Sequence, residues 1–306
     1  MSHISPAAPD HREPRDEDRV KNTSDDTGDA LDPDVPPVLL PTEVPQVVLE
    51  EIFEKVWTYT APFFVVDAER PVYSGTATCV AAKGKDYLLT AAHVWRRVRG
   101  DRFALALDAD RPLIPIYSDL VEATLFEPAG PVELGPDLAL IRLPDVDSAK
   151  IRRVKAFYNL DRRRPEPGEH ARYDEGLWGI IGAPAEMASF GETEALFKPR
   201  LFFSIVLLAE RRGDFDYVEL GFDHEGRSDL PRSYGGLSGS GLWQASIARS
   251  DSGAVSWTGE VRLEGVAYFQ KFTSANQGMV HCHGRASIYQ QALMRAVDKN
   301  RSAGGT

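Results

Sequence analysis

The chain has 306 residues, with 35 Lys and Arg against 46 Asp and Glu, and a formal net charge of −11. That length suits one large domain or two smaller ones, the 42% apolar content is globular, and the acidic balance argues against nucleic acid as a main partner. No stretch approaches the ~20 apolar residues of a membrane span, and Cys79 and Cys282 are too few for a disulfide framework. The opening MSHISPAAPDHREPRDEDRV lacks the apolar run of an export signal, so a cytoplasmic protein with no membrane partner is expected.

Residues 1–34 hold ten acids and four Lys or Arg, and a Pro-rich stretch follows. So little apolar surface cannot offset backbone entropy, and 1–44 reads as a disordered acidic tail. In QVVLEEIFEKVW, Val48, Ile52 and Val56 recur every four residues beside Leu49, Phe53 and Trp57, which predicts a helix over 46–57. Short apolar runs then follow, punctuated by Gly, Pro and Asp: FFVV, TATCVAA, YLLTAA, FALAL, LALIRL, LWGIIG, LFFSIVLL, DYVELGF, SGLW and LEGVAYF. Such a series predicts an all-β sandwich or barrel rather than βαβ units. The Arg-rich KIRRVKAFYNLDRRRPEPGEHAR reads as a connector, giving one unit over 45–155 and another over 156–306. Ile288, Leu293, Met294 and Val297 predict a closing helix.

Three segments carry residues suited to chemistry. YLLTAAHVW runs a predicted strand through two alanines into His93. GPDLALIRL opens an apolar strand with Asp137, a carboxylate that is costly to bury unpaired. SYGGLSGSGLW sets Ser238 among Gly235, Gly236, Gly239 and Gly241, so its backbone can take conformations closed to other residues. Singly, each has a plain alternative: a histidine satisfied by a carbonyl, an aspartate capping a turn, a tight hairpin. Together they supply a base, an orienting acid, a nucleophile and an oxyanion site, the set that acyl transfer requires.

With the order His, Asp, Ser, the sequence resembles the trypsin-like, chymotrypsin-fold serine peptidases, from about Gly75 to Ile288. TAAHV matches their histidine motif, DLALIRL their aspartate motif, and GLSGSG stands where they have Gly-Asn/Asp-Ser-Gly-Gly. GTATCVAA, GIIGAP and LEGVAYFQ add support. The resemblance implies a serine endopeptidase with His93, Asp137 and Ser238 as catalytic triad and the Gly236 and Ser238 amides as oxyanion hole. It implies two antiparallel six-stranded β-barrels, all-β apart from a short N-terminal helix and a C-terminal helix, with the site between the barrels. Peptide substrate would add along 268–270 by main-chain hydrogen bonds. No cofactor is implied, and the partners are a protein or peptide substrate and a regulatory protein.

The departures are informative. Leu237 stands where the secreted enzymes have an Asp that pairs with a newly cut N-terminus, so activation by that route is not expected. Val94 replaces a frequent Cys, and Ser240 replaces the second Gly. Counting back from Ser238 puts Arg232 at the base of the specificity pocket, where a cation would favour acidic residues. Tyr268 and Gln270 fall beside that pocket and His281 and His283 on its far wall. His281, Cys282 and His283 also suggest a metal site. In a strand, however, only the two histidines share a face, and no third ligand is evident.

Two other readings compete. An α/β-hydrolase would need G-x-S-x-G and the order Ser, acid, His, but residue 240 is Ser rather than Gly and the best histidine precedes the serine by 145 positions. A latent or inactive peptidase-fold module that acts by binding protein is the stronger alternative, since fold does not fix function.

Overall fold

The computed structural model describes residues 41–66, 71–99, 102–108, 113–117, 120–166, 169, 171–190, 195–197, 199–225, 230–274 and 276–303. Most of the expected tail, 1–40, lies outside these residues. Pro41–Glu43 form a 3-10 turn, and Val44 is already buried.

Helix α1 (Gln46–Trp57) buries Val48, Ile52 and Val56, and keeps Leu49, Phe53 and Trp57 half-buried. The strands that follow are β1 (Thr60–Val66), β2 (Pro71–Ala82), β3 (Lys85–Thr90), β4 (Arg102–Leu105), β5 (Ile114–Tyr117), β6 (Glu122–Phe126) and β7 (Leu138–Arg142). They join antiparallel in the order β5-β4-β1-β2-β3-β7-β6, while β8 (Tyr158–Asn159) pairs in parallel with β2. The short helices α2 (Ala92–Val98) and α3 (Asp145–Ile151) flank this sheet.

This eight-stranded sheet replaces the six-stranded first barrel expected from sequence. Among the described residues its path stays open, with β5 and β6 as its ends. Both are short, and Tyr117 at the end of β5 and Leu120 beyond it are exposed.

The second half meets the expectation of a closed barrel. Its six strands are β9 (Leu177–Gly182), β12 (Arg200–Arg212), β13 (Phe215–Asp223), β14 (Gly241–Arg249), β15 (Val255–Ser274) and β16 (Gln277–Gly284), and they close in the order β12-β13-β16-β15-β14-β9. A two-stranded ribbon, β10 (Ala188–Phe190) and β11 (Ala195–Phe197), stands outside it. The chain ends in a π-helical turn, Ser287–Ala292, followed by α4 (Leu293–Ala303). The wider turn changes the helical phase, so Met294, expected on the apolar face, is exposed while Ile288 and Leu293 are buried.

One apolar core fills the first sheet around Phe63, Leu88, Phe103 and Ile141, and another fills the barrel around Ile180, Leu220, Leu242 and Cys282. A third joins α1, both sheets and the C-terminal helix. At its centre Trp243 stacks with Tyr59 at 5.4 Å and meets Tyr158 edge-on at 5.3 Å. The expected connector thus contributes to the fold: Tyr158 is core, and the Lys155 ammonium donates to the Trp57 carbonyl at 2.8 Å. Among the described residues no helix is long and apolar enough to cross a membrane.

Candidate active site

Asp137 immediately precedes β7, an antiparallel neighbour of β3 that pairs Thr90 with Ala139. The pairing brings the start of β7 beside the end of β3, where the chain turns into α2. His93 is the second residue of α2 rather than the end of a strand. Ala91 is still extended, and its chain turns into the helix without a side-chain cap. The Asp137 carboxylate is fully buried and grips His93 twice, accepting from its backbone amide at 2.8 Å and facing its Nδ1 at 2.5 Å. This leaves Nε2 as the imidazole nitrogen not committed to Asp137. An ionised acid in so dry a place needs such partners.

Ser238 lies on the loop before β14, and both sheets hold that loop. From the first sheet, the Thr76 amide donates to the Ser238 carbonyl at 2.9 Å, while the Tyr73 and Thr76 hydroxyls donate to the Gly236 carbonyl at 2.7 and 2.9 Å. From the barrel, the Ala267 carbonyl accepts the Gly239 amide at 2.7 Å. Gly236 and Gly239 have φ of 95° and 91°, the left-handed region that glycine alone adopts without strain. A β-carbon on Gly239 would also strike the Thr76 carbonyl and the Thr90 hydroxyl. Leu237, the departure from the secreted enzymes, is an apolar anchor buried in the barrel core.

The Gly236 and Ser238 amides donate to no partner among the described residues, which leaves both available to a ligand. The Ser238 hydroxyl donates weakly to the Tyr268 carbonyl at 3.4 Å, and no hydrogen bond joins it to His93 among the described residues. A cleft of about 380 Å³ is lined by His93, Gly236, Ser238, Tyr268, Gln270 and Arg97, among others. Such a place combines a hydroxyl, an imidazole backed by a carboxylate, and two free amides, which suits nucleophilic attack on a carbonyl and stabilisation of the resulting oxyanion.

Beside the loop, β15 pairs with β14 only as far as Val266, and Ala267 bonds the loop through its amide and carbonyl. Among the described residues Phe269 and Gln270 have strand partners on the β16 side alone, and Tyr268 sits at the irregularity between Ala267 and Phe269. That edge is open to an extended chain. Tyr268 and Gln270 line the cleft; the Tyr268 hydroxyl donates to the Glu133 carbonyl at 3.1 Å, and the Gln270 amide nitrogen donates to the Ser233 hydroxyl at 3.2 Å.

The other expected pocket residues lie elsewhere. Arg232 is exposed and outside the cleft lining, its amide bound by the Glu186 carboxylate at 2.7 Å. His281 and His283 share a strand face, but they converge on the ring of Tyr268, at 6.4 and 4.6 Å, rather than on the cleft. His281 Nδ1 lies 3.1 Å from Glu219, and burial holds the imidazole below its usual range. His283 is fully buried behind Asp137, and burial pushes its imidazole down to about 3. Cys282 points into the barrel core, where burial raises its thiol. Among the described residues no group of three His, Cys, Asp or Glu gathers as a metal site.

Sequence reasoning missed Arg97, Val132 and Tyr234 in the cleft lining. For Arg97 a signal existed: it follows His93 by four residues, a shared face once the segment is helical.

No protein-family model matches the chain, and no curated protein matches it. Among the solved structures similar to this chain is one with a TM-score of 0.41 and 13% identity, over 76% of this chain and 95% of that chain. It comes from work on aromatic interactions that drive the coupled folding and binding of the intrinsically disordered VPg protein of Sesbania mosaic virus.

Proposed function

We propose that the protein is a serine endopeptidase of the trypsin-like kind, its two-sheet body a chymotrypsin-like arrangement with an open first sheet. The observation that carries this reading is one cleft holding Ser238, the Asp137-bound His93, and two unpartnered amides on a glycine-shaped loop. In the proposed mechanism the Ser238 hydroxyl leaves the Tyr268 carbonyl and turns to His93 Nε2, which takes its proton as the oxygen attacks the peptide carbonyl. Asp137 holds the imidazole with Nδ1 protonated and stabilises the imidazolium. The Gly236 and Ser238 amides bind the oxyanion, a contribution of about 10²- to 10³-fold per donor in comparable sites. His93 returns the proton to the leaving amine, and water attacks the acyl-enzyme with His93 again as base. The substrate backbone pairs with the open edge at Tyr268 to Gln270.

One observation favours a second reading, a latent peptidase or a binding module: the Ser238 hydroxyl rests on the Tyr268 carbonyl rather than on His93. Labelling with a fluorophosphonate probe separates the two. A competent serine gives labelling that disappears in Ser238→Ala and falls steeply in His93→Ala. Unchanged labelling of Ser238→Ala overturns the triad, and a folded wild-type protein that never labels favours the binding module.

A further inference from the structure

We propose that His283 is a positioning residue for this site: as a neutral hydrogen-bond acceptor it fixes the backbone of Asp137 and thereby aims the carboxylate that orients His93. The inference deepens the peptidase reading and rests on it for its kinetic consequence.

The relationship is direct. The Asp137 amide donates to His283 Nε2 at 2.9 Å, across 146 residues of sequence. Both carboxylate oxygens of Asp137 are already taken up by His93, one by its amide and one by its ring. The aspartate therefore stands between two histidines, His93 donating to its carboxylate and His283 accepting from its N–H. Because Nε2 accepts, the neutral His283 ring carries its proton on Nδ1.

The surroundings make this role specific. Tyr268, Tyr217 and Phe215 enclose the ring at centroid distances of 4.6, 5.1 and 5.9 Å. Tyr217 and Tyr268 keep their protons, since burial raises both phenols. The charged groups facing His283 are Asp137, at the start of β7, and Arg212 of β12, whose guanidinium covers the Tyr217 ring at 3.9 Å. Asp137 favours a proton on the ring; burial and Arg212 oppose it, and burial is the largest influence. The acceptor lone pair is thus kept through neutral pH. His283 Nδ1 has no partner among the described residues. A buried donor without a partner is costly, so an apolar side chain here would pack more cheaply. What the imidazole supplies, and an apolar residue cannot, is the acceptor behind Asp137.

The test uses the full-length chain with His283→Gln, which keeps an acceptor of similar reach, and His283→Phe, which keeps a ring without one. Two readouts are needed: the rate of fluorophosphonate labelling against pH, and the deshielded proton shared by His93 Nδ1 and Asp137 in the proton NMR spectrum. In metal sites, loss of the groups that orient a metal-bound side chain typically costs about 10- to 100-fold, and a loss of the same order is expected here. The Phe variant should label that much more slowly, with its pH midpoint shifted down as the imidazolium loses support, and its shared-proton resonance should move or vanish. The Gln variant should keep the wild-type midpoint and resonance. Should the Phe variant not fold, His283→Leu carries the same expectation. An unchanged resonance and midpoint in the acceptor-free variant overturns the proposal, as does equal damage in the Gln variant. The NMR readout decides the role even if the wild type never labels, an outcome that would sink the peptidase reading alone.

Discussion

The Tyr73 hydroxyl donates a 2.7 Å hydrogen bond to the Gly236 carbonyl, so a residue of β2 holds the loop that carries Ser238, 163 positions away in sequence. Burial raises the pKa of this phenol, which keeps it protonated and therefore a donor. Because a carbonyl and the following amide share a rigid peptide plane, fixing the Gly236 carbonyl also fixes the direction of the Leu237 amide and the turn leading into Ser238.

Tyr73→Phe removes that donor while Thr76 still reaches the same carbonyl. The expected loss of stability is small, about 1 kcal/mol. Labelling of Ser238 should fall by more than that stability change explains, roughly tenfold, through a loosened oxyanion loop. Chemical denaturation beside labelling kinetics measures both, and a variant that labels at the wild-type rate would remove Tyr73 from the site's support.

Cleavage preference should follow Arg97, not Arg232. Arg97 is the one Lys or Arg among the described cleft residues, whereas Arg232 is exposed and outside that lining. In a peptide library, Arg97→Glu should reduce cleavage of peptides with acidic residues near the scissile bond, and Arg232→Glu should leave the preference as it is. The reverse result would restore the pocket-base assignment that counting back from Ser238 suggests.

Glu264 predicts a pH dependence of stability. It is nearly buried, its contacts to Arg285 are long at 3.4 and 3.5 Å, and burial outweighs Arg285 and Arg262 to raise its carboxyl from 4.5 to about 7. Folding therefore favours the protonated acid. Its contribution is complete below about pH 4.5 and is lost as pH rises through about 7, a change on the order of 3 kcal/mol. Glu264→Gln stays uncharged throughout, so the variant's advantage in melting temperature should widen between pH 5 and 8. Parallel curves for the two proteins would mean that the acid is ionised in the fold across this range.

The strands were legible because burial on both faces leaves continuous apolar runs, and Asp137 because a carboxylate at the head of such a run demands a partner. The first sheet's open edge was not legible, since closure depends on whether β5 meets β6 and neither strand encodes its neighbour. His93 was placed on a strand because Ala91, Ala92, Val94 and Trp95 are buried in either geometry, and no Ser, Thr, Asp or Asn caps the helix start. The role of His283 depends on two registers, Tyr217 opposite His283 and Val266 opposite His283, that fix which way its ring faces. Arg232 misled because counting along the chain does not register the Glu186 carboxylate that holds its backbone at the rim.

The Ser238 carbonyl is bonded from β2 and the neighbouring Gly239 amide is bonded to β15, so the loop takes its shape from two halves of the chain at once. A break in the connector near residue 165 would leave each fragment with half of those restraints. Restored labelling on mixing the fragments would then report their reassembly, with a rate first order in each, making the nucleophile's loop a sensor of complementation between the halves.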